Sequence, residues 1–196
     1  MPSSVHTNRS WTIRITALLT RLRITVAGAS KHCRHGWVMP AFEYRQAEEI
    51  RNVFAKHNVA YLFIGKSGAI LLGYPDTTQD ADLFVKKSLE NGKALVAGLK
   101  ALGFSITGVQ ANEILGGKDF VQLKNGPFDL DLVFAPDGID RFEDAWARHI
   151  DVAGFPVCHP DDIIASKEAA HRAKDIESLP RLYAFRDYWS KRQKGI

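Results

Sequence analysis

The chain is poor in cysteine, with Cys33 and Cys158 the only two among 196 residues. Two thiols cannot build a disulfide framework or the four-ligand cage of a structural zinc site, so the sequence reads as a cytoplasmic protein free of a metal cluster. Long apolar runs are missing too. The longest, Tyr61 to Tyr74, is interrupted by Lys66 and falls short of the roughly 18 residues a membrane helix takes, which argues against a membrane protein. No repeat or low-complexity tract breaks the chain. Its composition, 45% apolar and 24% charged residues over this length, suits a single buried core.

Acidic residues are absent from one stretch. Residues 1–38 hold Arg9, Arg14, Arg21, Arg23, Lys31 and Arg34 without an Asp or Glu, a balance of +6. Twenty of the 26 basic residues and all 22 acidic ones lie beyond it, a balance of −2, so the overall +4 says little about the partner of the main body. The leader's Ser, Thr and Arg content, with Ile13 to Val26 broken by arginines, superficially matches a transit peptide, but no small-residue cleavage site follows a clean apolar core. Regular patterning starts just after Met39. The expectation is that residues 1–38 are a disordered leader or the product of a start codon placed too early, and that residues 39–196 form one domain.

From Met39 onward the spacing of Ala47, Ile50, Val53 and Phe54 predicts an amphipathic helix over Ala41 to Asn58. The apolar run Val59 to Ile64 predicts a buried strand. The loop Gly65-Lys66-Ser67-Gly68 comes next, then a short helical patch, Ala69 to Leu72, and a second strand over Asp80 to Lys86. Leu89 to Leu102 predicts a helix stopped by Gly103. Phe120 to Leu123 and Phe128 to Phe134 flank Lys124-Asn125-Gly126-Pro127 and predict a hairpin, Asn-Gly being the strongest short turn signal. A short helix over Phe142 to His149, a strand pair around Gly154, a helix from Pro160 to about Ala173 and a last one from Ile176 to about Arg192 complete a mixed α/β sheet with a C-terminal helical cap.

Asp80 and Asp82, two apart on a strand, leave it on the same face while Ala81 and Leu83 turn to the core. Such neighbours repel unless a cation lies between them, and magnesium takes carboxylates together with phosphate oxygens. Alone, acid–x–acid is equally the solvent face of an edge strand. The second hairpin arm repeats the pattern with Asp129 and Asp131, and if the two strands are neighbours the acids converge on a two-metal site. Glycine and a hydroxyl directly after the first strand would let backbone N–H groups approach a phosphate. Gly65-Lys66-Ser67 matches the tail of a P-loop, but that loop needs a glycine five residues before Gly65, where Ala60 stands.

Ile64-Gly65-Lys66-Ser67, a twelve-residue spacer and Asp80-Ala81-Asp82-Leu83 together resemble the signature of the nucleotidyltransferase superfamily, with its DNA polymerase beta-like fold. Gly73 to Asp82, and Lys167 followed by Arg172-Ala173-Lys174-Asp175, are similar to its small bacterial members related to abortive-infection and toxin–antitoxin toxins. The resemblance covers roughly Ala41 to Leu182. It implies a nucleotidyltransferase that moves a nucleoside monophosphate from a triphosphate onto an acceptor hydroxyl of RNA such as tRNA, a protein or a small molecule. Gly65, Lys66, Ser67 and Lys167 would bind the nucleotide, and Asp80, Asp82 and Asp131, or Asp129 as the alternative third acid, would ligate two Mg2+ ions, with Mn2+ as a substitute. An antitoxin-like partner is also implied. Lys167, His171 and Lys174 are expected to form one stripe on one helix.

Two positions depart from the family pattern: Lys66 stands where a second glycine is common, and Asp76 where an arginine is usual. Asp76 keeps open an inactive nucleotide- or partner-binding module. A metal-dependent glycosyltransferase acting on a nucleotide-sugar is the other enzymatic alternative, although it would need neither Gly65 and Ser67 upstream nor a third acid on an adjacent strand.

Overall fold

The computed structural model of the chain describes residues 41–194. The basic leader, residues 1–38, and Cys33 lie outside the described residues.

The first helix, α1 (Tyr44–His57), begins where the Gln46 side chain accepts the Glu43 backbone N–H at 2.9 Å, and it ends at Asn58 in the left-handed region (φ 55°). It turns Ala47, Ile50 and Phe54 inward, as their spacing predicts. Strand β1 (Tyr61–Phe63) runs straight into α2 (Gly65–Leu71), so the stretch Gly65 to Gly68 is the first turn of a helix rather than a loop. Strand β2 (Asp80–Val85) is next, then α3 (Leu89–Ala101), which the Ser88 hydroxyl caps by accepting the Asn91 N–H. Helix α4 (Gly108–Leu115) has no counterpart in the predicted elements. It is announced only by a capping box between Thr107 and Gln110.

The hairpin is β3 (Phe120–Leu123) and β4 (Asp129–Val133); α5 (Phe142–Ala147) and the short pair β5 (Ile150–Val152) and β6 (Phe155–Val157) come next. The chain then makes α6 (Pro160–Ala170) and α7 (Ala173–Gln193). His171 takes the left-handed conformation (φ 49°) and terminates α6. The expected single stripe of Lys167, His171 and Lys174 is thereby broken: Lys167 belongs to α6, His171 to its end and Lys174 to α7.

The six strands form one sheet in the order β3-β4-β2-β1-β6-β5. β1 pairs antiparallel with β2 and parallel with β6, β2 pairs parallel with β4, and both hairpins are antiparallel. The parallel β2–β4 pair is reached by a crossover that contains α3 and α4, as parallel pairing demands. The mixed α/β sheet with helices after it is therefore the architecture that the pattern predicts.

Apolar residues on the two faces of the sheet pack against different helices. Leu83, Leu130 and Leu132 meet Ile50 and Phe54 of α1 and Leu95 and Leu99 of α3. Leu62, Ile64 and Phe84 meet Ala69 of α2, Phe142 of α5, Ile163 of α6 and Leu182 of α7. Alternation along β2 and β4 sends Asp80, Asp82 and Asp131 toward this second layer, where α2, α6 and α7 stop short and leave a cleft. Among the described residues no helix is long and apolar enough to cross a membrane.

Candidate active site

The cleft, of about 490 Å³, is floored by β2 and β4, walled on one side by the start of α2 and roofed by the α6–α7 junction. Register sets the acids side by side: Asp82 stands opposite Asp131 and Asp80 opposite Asp129 across the parallel pair. Asp80, Asp82 and Asp131 each offer a carboxylate oxygen, and the three atoms lie within 4.8 Å of one another. The solvated-edge alternative fails, because these acids face a cleft between layers. Asp129 shares their sheet face, but it does not line the cleft, so Asp131 is the third acid that the fold brings into the group.

Each acid is held by a neighbour. The Thr78 hydroxyl donates to Asp80 Oδ1 at 2.8 Å. Gln122 Nε2, across the hairpin from Asp131, donates to Asp131 Oδ1 at 2.9 Å and leaves Oδ2 available to the cleft. The Asp82 backbone N–H donates to Ser67 Oγ at 2.9 Å, and that hydroxyl donates in turn to the Ile64 carbonyl at 3.1 Å. Ser67 is thus fully buried and its hydroxyl is spent on joining α2 to β2; it is not brought to the cleft with Gly65 and Lys66.

Gly65 is required here twice over. Its φ of +63° suits glycine, and a Cβ at this position would overlap the Asp82 carboxylate. The loop expected to approach a phosphate is therefore packed directly against one of the acids.

Crowding of like charges shows in the acids' protonation. Burial first, then the charges of Asp80 and Asp131, push the Asp82 pKa up to about 7. Burial also raises that of Asp131, opposed by the Gln122 hydrogen bond. A divalent cation fits this donor set: three hard carboxylate oxygens already gathered, on groups whose mutual repulsion a cation would relieve.

Basic residues come from the roof. Lys167 reaches the cleft from α6, but its ammonium donates to Asp175 Oδ1 at 2.8 Å, and the two side chains are only 16% and 6% exposed. Lys174, in the first turn of α7, lines the cleft near enough to Asp82 and Asp131 to lower both their pKa values. Lys66 lines the cleft from α2 and faces Asp76 at 3.4 Å, so the two departures from the family pattern form an ion pair with each other. Sequence reasoning missed Gln122, Thr78 and Asp175 as members of this site. For Gln122 no local signal existed: a two-residue turn at Asn125-Gly126 would set it opposite Asp129, whereas the hairpin pairs Leu123 with Leu130 and so brings Gln122 opposite Asp131.

Neither a protein-family model nor a curated protein matches the chain. Among solved structures it is similar to that of the lincosamide antibiotic adenylyltransferase LnuA in its lincomycin-bound form, at 13% identity, with a TM-score of 0.54 over 74% of this chain and 99% of that one. At that identity the likeness is one of architecture, and it extends over nearly the whole of the adenylyltransferase. The described residues thus carry the nucleotidyltransferase fold.

Proposed function

We propose that the protein is a divalent-metal-dependent nucleotidyltransferase that moves a nucleoside monophosphate from a triphosphate onto a hydroxyl of a small molecule. The observation that carries this reading is the convergence of Asp80, Asp82 and Asp131 from two strands at the base of a cleft whose rim holds Lys66, Lys167 and Lys174. The likeness to an adenylyltransferase whose structure holds an antibiotic favours a small-molecule acceptor over tRNA or protein.

Asp80, Asp82 and Asp131 would hold the metal, Mg2+ in the first instance, which when bound neutralises phosphate charge and polarises the α-phosphorus. Gly65 and Lys66 face the β- and γ-phosphates, with Ser67 acting only through the bend it anchors. Lys174, which lines the cleft and lowers the pKa of both Asp82 and Asp131, balances charge on the transferred group. The acceptor oxygen forms a bond to the α-phosphorus as the bond from that phosphorus to the bridging oxygen breaks; the electron pair leaves with pyrophosphate. The Asp131 carboxylate, oriented by the Gln122 hydrogen bond to Oδ1, takes the hydroxyl proton. Such a reaction needs positioning and charge neutralisation more than covalent participation by the protein. A nucleotide-sugar enzyme has no need of the third acid on a separate strand, so the glycosyltransferase alternative gains no support from this geometry.

The test is transfer of label from each α-labelled nucleoside triphosphate, with magnesium, to hydroxyl-bearing small molecules, tRNA and proteins of a cell extract. Asp82→Asn is expected to abolish transfer while the protein stays folded. Transfer that persists in that variant refutes the metal assignment, and a wild type that binds no triphosphate and labels no acceptor refutes the activity.

A further inference from the structure

Lys66 faces the cleft, yet its ammonium is held from behind by a residue outside it. Asp76, on the segment between α2 and β2, places Oδ2 3.4 Å from Lys66 Nζ and 3.7 Å from Arg181 Nη2 of α7. One carboxylate oxygen therefore serves two cations from different helices. The other, Oδ1, accepts the Thr77 backbone N–H at 2.8 Å. Arg181 has further attachments: its guanidinium lies over the Tyr74 ring, 5.5 Å from the centroid, and Nη2 donates to the Pro75 carbonyl at 3.5 Å. Lys66 has no other side-chain partner among the described residues.

Lysine carries a compact charge on a flexible four-carbon stem. With 37% of the Lys66 side chain exposed and a contact as long as 3.4 Å, its bond to Asp76 is of the loose, solvent-screened kind. A polyphosphate in the cleft offers several anionic oxygens on the opposite side of the same ammonium. We infer that Asp76 is a built-in competitor for the triphosphate: it holds Lys66 in the ligand-free cleft and gives it up when the phosphates seat. Its carboxylate thereby sets triphosphate affinity from outside the site. This rests on the reading that the triphosphate lies at Gly65 and Lys66.

Calorimetric titration of the full chain with magnesium tripolyphosphate, and with magnesium complexes of non-hydrolysable ATP, GTP, CTP and UTP analogues, tests it without knowledge of the base or the acceptor. Asp76→Asn keeps a carbonyl oxygen for the Thr77 N–H, so the turn survives. This variant is expected to bind tripolyphosphate about two- to fivefold more tightly, the range set by a weak ion pair. Lys66→Met is expected to bind more weakly, and adding Asp76→Asn to it should bring no gain. That missing gain separates competition for Lys66 from a general loss of negative charge. Arg181→Met leaves Asp76 wholly to Lys66 and should weaken binding, even though Arg181 lies outside the cleft lining. Unchanged or weaker binding by Asp76→Asn overturns the inference, as does an equal gain in the Lys66→Met background. If the folded wild type binds neither tripolyphosphate nor any of the four analogues, the nucleotidyltransferase reading fails and takes the inference with it; wild-type binding without a gain in Asp76→Asn removes the inference alone.

Discussion

At the scale of single residues, Asp82 is under strain because it is withdrawn from solvent and stands beside the charges of Asp80 and Asp131, with its amide already tied to Ser67. Its pKa of about 7 in the folded chain lies above the ~3.9 of an unfolded aspartate, so the native state holds the extra proton between those values. Without a cation, stability therefore falls as pH rises from about 4 to 7 and stays low above that. Thermal melts in a chelator should show this loss for the wild type. Asp82→Asn should flatten the profile and melt a few degrees higher at pH 8, since about 1 kcal/mol moves Tm by ~2–4 °C in a chain of this size. On the proposed reaction Gln122 would act through Asp131, to which it donates a hydrogen bond. Gln122→Leu should lower kcat about 10- to 100-fold, the usual effect of losing a partner that orients a ligand, with the triphosphate KM nearly unchanged. It should also move the acid limb of the pH–rate profile upward, because the Gln122 hydrogen bond lowers the Asp131 pKa.

Among the elements, α6 and α7 form the roof, and the buried ion pair of Lys167 with Asp175 joins them over the cleft. Asp175→Asn would leave the Lys167 ammonium buried without its counter-ion, and the expected cost is about 3 kcal/mol of stability, measured by urea unfolding. The family resemblance points to Lys167, which lines the cleft, but helical periodicity could not show that α6 stops at His171. A left-handed histidine is rare, so Lys174 looked like a continuation of the same stripe. α4 escaped for a related reason: only Ile114 of its residues is buried, which leaves no apolar face to count. The existence of the hairpin was legible from Asn125-Gly126 between two patterned arms, but its register was not, because the connection is wider than a two-residue turn and pairs Leu123 with Leu130. Gly65 to Gly68 read as loop because glycine disfavours helix, whereas the start of α2 is held by tertiary contacts, the Gly65 backbone against Asp82 and the Ser67 hydroxyl between Ile64 and Asp82.

For the molecule as a whole, the alternating acids of β2 and β4 were visible in the sequence, but their adjacency was not. It depends on a parallel pairing closed across α3 and α4, and no local pattern encodes such a pairing. The cleft is consequently made by residues from three distant stretches, and a ligand that bridges them should stabilise the folded chain globally. Adding magnesium and triphosphate at about 100 times Kd should raise the unfolding free energy by about 2.7 kcal/mol, observable as a higher Tm that Asp82→Asn does not share. The bare backbone of Gly65 beneath the Asp82 carboxylate has its own consequence for evolution in the laboratory. In a saturation library at position 65, survivors of a screen for folding should include some that have pushed the carboxylate aside, whereas survivors of a screen for turnover should all retain glycine.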